Sequence, residues 1–387
     1  MKGVVLGIAA LGSALGQVPA PEEGVAIVHV RILTVTKGEI ESGTILLRGQ
    51  KIAEIGREVK VPTGVAVVEG RGLVAFPGLV SAVSRIGLTG ESGGGGGSGS
   101  TPQNAAADEI NPASDVFTQA VRTGVTSYGV HPSGGTVSGQ GAILKPVGLE
   151  KESMVIDRSA FLRISLQAST ASKEALRQAL EGARRQIDSE KKGPKPASAG
   201  AKPDEPGPPL VRFLRGEIPA QVAVAGPSEV LHFFQVMDAF SEFKTTVVFV
   251  APAEVYKAAE ELGKRKSAVI LRPDLTFAPF TRDRVNAAAE LLRAGATVAF
   301  SPGADVGEPA EGYLFRISEM VKYGLPREAA LRAISIVPAE MLGIGKRAGS
   351  LEAGKDGDVL LFDGDPLSAS TSLRRVFIQG VEVYHAP

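Results

Sequence analysis

The side chains able to do metal or acid-base chemistry are few in this chain of 387 residues: four histidines, no cysteine, and carboxylates mostly scattered along the surface pattern. His29 falls in an alternating apolar run, His385 lies in the last residues, and His232 stands beside two phenylalanines in "LHFFQV", where packing is its expected role. His131 differs: it ends an apolar run and is followed by "PSGG", which places it at the rim of whatever sheet that run joins. Asp305 and Glu308 follow the run "ATVAFS" with glycines on either side, where a loop can approach a ligand closely. The same two carboxylates would also cap the helix "PAEGYLFRISEMVKYG" and complement its dipole. The absence of cysteine excludes a disulfide framework, a thiolate metal site and a sulfur nucleophile.

Other motif matches carry less. "GESGG" (90–94) has the nucleophile-elbow spacing around Ser92, but it runs on into a glycine-rich loop instead of the helix an elbow needs. "GGGGGSGS" lacks the lysine-serine ending of a phosphate loop. "SEFK" (241–244) has a serine-lysine spacing without companion motifs, and the carboxylates of "DGDVLLFDGDP" do not have calcium-loop spacing, so both read as surface or turn.

The elements that must position these residues fall into three groups. At the N-terminus, one lysine, an apolar run of about 13 residues and "ALG" before Gln17 have the form of a secretory signal peptide over residues 1–16. The run is shorter than the ~20 residues a membrane span requires, so a protein released to the periplasm or the exterior is expected, with no span after cleavage. Residues 22–75 and 345–387 alternate apolar and polar residues between turn signals, as short strands with one buried face do. Between them, "GVTSYGV", "QVAVAG", "TTVVFVA", "SAVILR" and "ATVAFS" are short buried runs, and amphipathic helical stretches separate most of them. That alternation predicts an α/β core with a parallel sheet over 76–344, a (β/α)8 barrel or a doubly wound sheet. Two stretches, 90–108 and 189–209, are rich in glycine and serine or in proline and lysine, and are expected to be flexible insertions. With 43% hydrophobic residues the chain can bury a large core, and 42 basic against 42 acidic residues favour neither nucleic acid nor an anionic membrane as partner.

Four stretches together resemble the amidohydrolase superfamily, in the exported branch similar to imidazolonepropionase and dihydroorotase-like hydrolases: "GLVAFPGLVSAVSRIGL", "RTGVTSYGVHPSGGTVSGQGAILK", "FLRGEIPAQVAVAGPSEVLHFFQV" and "GLPREAALRAISIVPAEMLGIGKRAGSLEAGKDGDVLLFDGDPL". The resemblance implies a TIM-like barrel carrying a small composite β-sandwich built from both termini. It also implies zinc or another divalent ion at the barrel mouth, where bound water is activated to attack an amide-like carbon and an aspartate moves the proton. Matched position by position, the metal-ligand histidines of the family fall on Val83, Arg85, Ala223, Ala225 and Ala251, and its catalytic aspartate falls on Gly303, or on Asp305 after a two-residue slip. None of the five ligand positions offers a metal donor, and Arg85 brings a fixed positive charge to a cation's place. The sequence therefore predicts an amidohydrolase-like protein without a metal cofactor and with a binding or assembly role, partnered by an active homologue or by itself. A hydrolase of cyclic amide-like carbon-nitrogen bonds, using His131 and Asp305, is the alternative. The expected pocket comprises Arg85, His131, Ser133, Asp305 and Glu308, with an Arg85–Asp305 ion pair across it.

Overall fold

The computed structural model describes residues 24–89, 100–192 and 207–387. The expected leader at 1–16, "GESGG" and all but the last serine of "GGGGGSGS" lie outside the described residues. The alternating N-terminal stretch forms β1 (Val25–Leu33), β2 (Glu39–Arg48), β3 (Lys51–Gly56), β4 (Ala66–Glu69) and β5 (Val74–Pro77). The core strands follow as β6 (Leu79–Ser84), β7 (Val125–Val130), β8 (Val137–Leu144), β9 (Val155–Ser165), β10 (Ala220–Ala223), β11 (Val247–Val250) and β12 (Ala268–Leu271). A small hairpin of β13 (Thr276–Phe277) and β14 (Arg284–Val285) precedes β15 (Thr297–Phe300). The chain ends in β16 (Val359–Phe362), β17 (Leu373–Ile378) and β18 (Val381–His385).

Strands β6 to β12 and β15 make one eight-stranded, nearly closed barrel sheet, in the order β15-β12-β11-β10-β9-β8-β7-β6. Strands β9, β10, β11, β12 and β15 pair in parallel, as the apolar runs predict. The uniform strand-helix alternation does not extend to β8, which runs antiparallel to both β7 and β9. Seven strands therefore share one direction, and their C-terminal ends define a common mouth. The seam between β6 and β15 is bridged by Ser301, whose Oγ donates to the Val83 carbonyl at 3.0 Å and lies 3.3 Å from Ser81 Oγ. Inward residues such as Ala82, Phe161, Val248, Ile270 and Ala299 form one apolar cluster, while Phe249, Val269 and Phe300 join the cluster between strands and helices. This is the period-two division a sheet buried on both faces requires.

Gly141, on β8, shows how tightly the interior is filled. A Cβ there would lie 2.1 Å from the ring of Phe161, which is fully buried. Gly141→Ala is expected to cost about 1–3 kcal/mol through overpacking, read as a lower denaturant midpoint at unchanged slope. An unchanged midpoint would show that the ring has room to move.

The termini meet as expected: β16 pairs antiparallel with β5, and the sheet runs β18-β17-β16-β5-β1-β2-β3, with β4 beside β1. Where the sequence predicts a composite sandwich, the strands join in a single hydrogen-bonded sheet, and residues from both ends, Ile27 and Ile45 with Leu361 and Phe377, share one core. The sheet is tied to the N-terminal end of the barrel by buried charge. Lys145, immediately after β8 and 1% exposed, donates to Asp358 and lies 3.4 Å from Asp356. Asp358 also accepts from Thr126 Oγ1 and the Gln379 N–H, and Asp356 pairs with Lys51 and Arg347. Two carboxylates that read as turn residues in "DGDVLLFDGDP" are thus the buried counter-ions of a lysine on another element.

The described ends of the stretches 90–108 and 189–209 carry regular structure. Residues 101–108 are built into the barrel, with Thr101 N–H on the Val137 carbonyl, Gln140 N–H on the Asn104 carbonyl, and Ala106 and Ala107 buried. Residues 189–191 complete the long helix Thr170–Lys191, and Pro209 opens the next. Residues 90–99 and 193–206 lie outside the described residues.

Candidate functional site at the barrel mouth

The C-terminal ends of β6, β7, β10, β11, β12 and β15 surround a cavity of about 560 Å³. Active sites of barrels of this kind sit at this end, because loops there vary without disturbing the packed interior. Val83, Arg85, Ala223, Ala225, Ala251 and Gly303, which sequence matching sets against the family's ligand and base positions, all line this one cavity. His131 and Asp305 line it as well. The other two expected pocket residues do not. Ser133 is exposed in the β7–β8 connection, and Glu308 opens a four-residue helix (Glu308–Glu311) with its carboxylate in solvent, 3.9 Å from Arg316.

Asp305 is held from the β6 side. The Arg85 backbone N–H donates to its Oδ2 at 3.3 Å, and the Ser84 hydroxyl bonds it as well. Burial nevertheless pushes its carboxyl above the usual range, the two hydrogen bonds only partly opposing that. The helix-capping role is not the one it takes, since Gly307 occupies the N-cap and Gly312 breaks the expected helix into two. Arg85 and Asp305 are joined through the arginine main chain, while the guanidinium directs Nη1 to the carbonyl of His131 at 3.3 Å.

His131 is a neutral imidazole. Its Nδ1 lies 3.1 Å from the Pro132 carbonyl, which only a protonated Nδ1 can satisfy, leaving Nε2 as an acceptor. Burial, then the positive charges of Arg163 and Arg85, push its pKa down to about 3, against the pull of the Pro132 carbonyl. A ring so weakly basic is poorly matched to proton abstraction at neutral pH.

Three residues that sequence reasoning passed over belong to the site. Arg272, closing the run "SAVILR", lines the cavity at its rim, with Nε 3.6 Å from Asp274. Arg163 and Gln221 face each other in register on β9 and β10, directly beneath Ala223 on the inward face. Gln221 Nε2 donates to the Ala82 carbonyl across the barrel at 2.8 Å, and its Oε1 lies 3.4 Å from Arg163 Nη1. The available signal was a charged residue in the middle of the apolar stretch "AFLRIS".

Residues 224–383 match the family model described as "Amidohydrolase family". A curated relative, the amidohydrolase tasK of Hapsidospora irregularis, is 40% identical over 65 residues, which are 17% of this chain and 7% of that protein, so the chain spans only a small part of that relative. Among solved structures, an amidohydrolase from Thermotoga maritima MSB8 superimposes with a TM-score of 0.79 at 24% identity, covering 94% of this chain and all of the other. A prolidase complexed with N-methylphosphonate-L-proline gives a TM-score of 0.58 at 14% identity over 94% of this chain and 100% of its own. Residues 224–383 thus match the amidohydrolase family model, and the fold of the described residues is that of the solved Thermotoga maritima barrel.

Proposed function

We propose that this protein is an exported, metal-free member of the amidohydrolase family that works by binding at its barrel mouth, as partner of an active homologue or of a second copy of itself. The observation that carries this reading is the shared cavity wall of Val83, Arg85, Ala223, Ala225 and Ala251, five positions matched to ligands and without a donor among them. A catalytic zinc takes about three protein ligands, and the cavity offers His131 and Asp305. Among the described residues, no group of three or more histidine, cysteine, aspartate and glutamate side chains converges in a way that could hold a metal ion. The donor set does not fit the ion the family would use, and no hydrolytic step is derived through it.

The alternative, hydrolysis of cyclic amide-like carbon-nitrogen bonds through His131 and Asp305, draws on the two lining one cavity. The low basicity of His131 weighs against it. Elemental analysis of the purified protein should find zinc, manganese, iron and cobalt far below one atom per chain. Turnover of a panel of cyclic amides should stay at background with and without chelator. Stoichiometric metal, or chelator-sensitive turnover, would overturn the proposal; chelator-insensitive turnover lost in His131→Ala would establish the alternative.

A further inference from the structure

The connection that leaves β12 at the barrel mouth carries an aromatic surface with no part in the cavity. It forms the β13–β14 hairpin, which pairs with no third strand among the described residues. A two-stranded ribbon is marginal on its own in water. This one is laid along the helix Tyr313–Lys322. Arg316 Nη1 lies 3.5 Å from Asp274 Oδ1 at one end, and at the other Arg284 Nη1 donates to the Tyr323 hydroxyl at 2.8 Å. Asn286, just after β14, donates to the carbonyls of Met320 and Tyr323.

Four rings face out from this unit. Phe277 is 57% exposed, Phe315 53% and Tyr323 42%, and Phe280, in the hairpin turn, is fully exposed. They are linked: Phe277 is the cross-strand partner of Arg284, whose guanidinium lies 5.2 Å from the Tyr323 ring centroid, and Lys322 Nζ lies 6.0 Å from that of Phe315. Phe280 has a φ of +61°, a left-handed conformation that is rare and strained for a bulky residue. Neither burial nor backbone geometry within the chain favours a phenylalanine there. Together the four rings expose about 500 Å², at the ~150–250 Å² that an aromatic side chain carries. A standard interface takes about 800 Å² from each partner, and about 65% of a homodimer interface is apolar, which is about the same area. Beside Phe280 the turn carries both signs next to each other, in the exposed Arg282 and Asp283. An anionic lipid surface calls for one sign, whereas adjacent opposite charges complement themselves across a two-fold axis, where each residue of one copy meets its counterpart's partner on the other. The net charge of zero leaves no overall repulsion between copies.

We propose that the β13–β14 hairpin and the outer face of the helix Tyr313–Lys322 form a two-fold contact with a second copy of this chain. Phe280 of each copy packs on the aromatic face of the other, and Arg282 stands opposite Asp283. The hairpin follows Arg272 at the cavity rim, so the two barrel mouths open beside one interface. This inference rests on the partner half of the reading above and is independent of its metal-free half.

The test is sedimentation velocity of the full chain from about 1 to 100 µM, which should show a reversible monomer–dimer equilibrium. Phe280→Asn removes the ring with a residue that tolerates the left-handed conformation, so the thermal midpoint should hold or rise while the dimer weakens at least about tenfold. Phe315→Ser should weaken it by roughly a few-fold, and Leu149→Ser, at a residue 80% exposed between β8 and β9, should leave it unchanged. Arg282→Asp and Asp283→Arg should each weaken it by roughly a few-fold, and an equimolar mixture of the two should recover the parental affinity, because opposite charges meet again in the mixed dimer. A monomer throughout the range, a mixture that does not recover, or an equal effect of Leu149→Ser would overturn the proposal. So would a monomer that binds phosphatidylcholine–phosphatidylglycerol vesicles through Phe280, which would assign the face to a lipid surface. A dimer indifferent to Phe280→Asn would sink this surface and leave self-partnering standing, and stoichiometric zinc would sink the metal-free reading alone.

Discussion

Lys145→Met should lower the unfolding free energy by about 3 kcal/mol, because it strands two buried carboxylates that the lysine neutralises. Asp356 keeps Lys51 and Arg347, and Asp358 keeps the Thr126 hydroxyl and the Gln379 N–H, which places the loss at the lower end for a broken buried pair. Burial raises the Asp356 pKa, but Lys145, Lys51 and Arg347 together bring it below the ordinary 3.8. A depressed carboxylate stabilises the fold above its unfolded pKa and loses that contribution as pH falls through the folded value. The part of the Lys145→Met deficit carried by Asp356 should therefore be full at neutral pH and shrink as the pH falls through the range in which its carboxyl takes up a proton. Denaturant melts across pH read this directly. A deficit independent of pH would point to lost packing of the lysine stem instead. Lys145→Met combined with Asp358→Asn should recover part of the loss, since one of the stranded charges is then gone.

The second large effect is a gain. Replacing Val83, Arg85, Ala223 and Ala225 together by histidine should create a site holding about one zinc per chain, where the parent should hold none, because the four positions share one cavity wall and zinc is satisfied by three or four imidazoles. A variant with the other three histidines but Arg85 retained should bind zinc at least about tenfold more weakly, since the guanidinium places a fixed positive charge beside the ion. Equilibrium dialysis with zinc separates the cases. Failure of the four-histidine protein to bind would show that these positions do not converge on one point; equal binding with Arg85 present would remove its charge from the explanation.

The same residues show how far sequence reasoning reached. The runs "TTVVFVA", "SAVILR" and "ATVAFS" became β11, β12 and β15, because continuous apolar segments of strand length between helices have few alternatives to a parallel sheet. The pairing of the two termini was legible from their alternation. The reversal at β8 was not. "VSGQGAIL" carries two glycines in a strand, which weakens the strand signal, and nothing local encodes the direction in which a strand enters a sheet. Arg163 and Lys145 escaped notice for a related reason. A charged residue is read as surface until the fold shows what encloses it, and the partners of Lys145 stand at the far end of the chain.

The pairing of β16 with β5 also sets an order of events. Val359 meets Pro77 across most of the chain, so this closure is expected to be favoured only once the barrel between them has brought the two strands together. Until then β5 offers an open row of backbone donors and acceptors, the kind of edge that recruits strands from other molecules. During synthesis the first sheet begun is the last one finished, and a nascent chain interrupted before Val359 is left with that edge exposed.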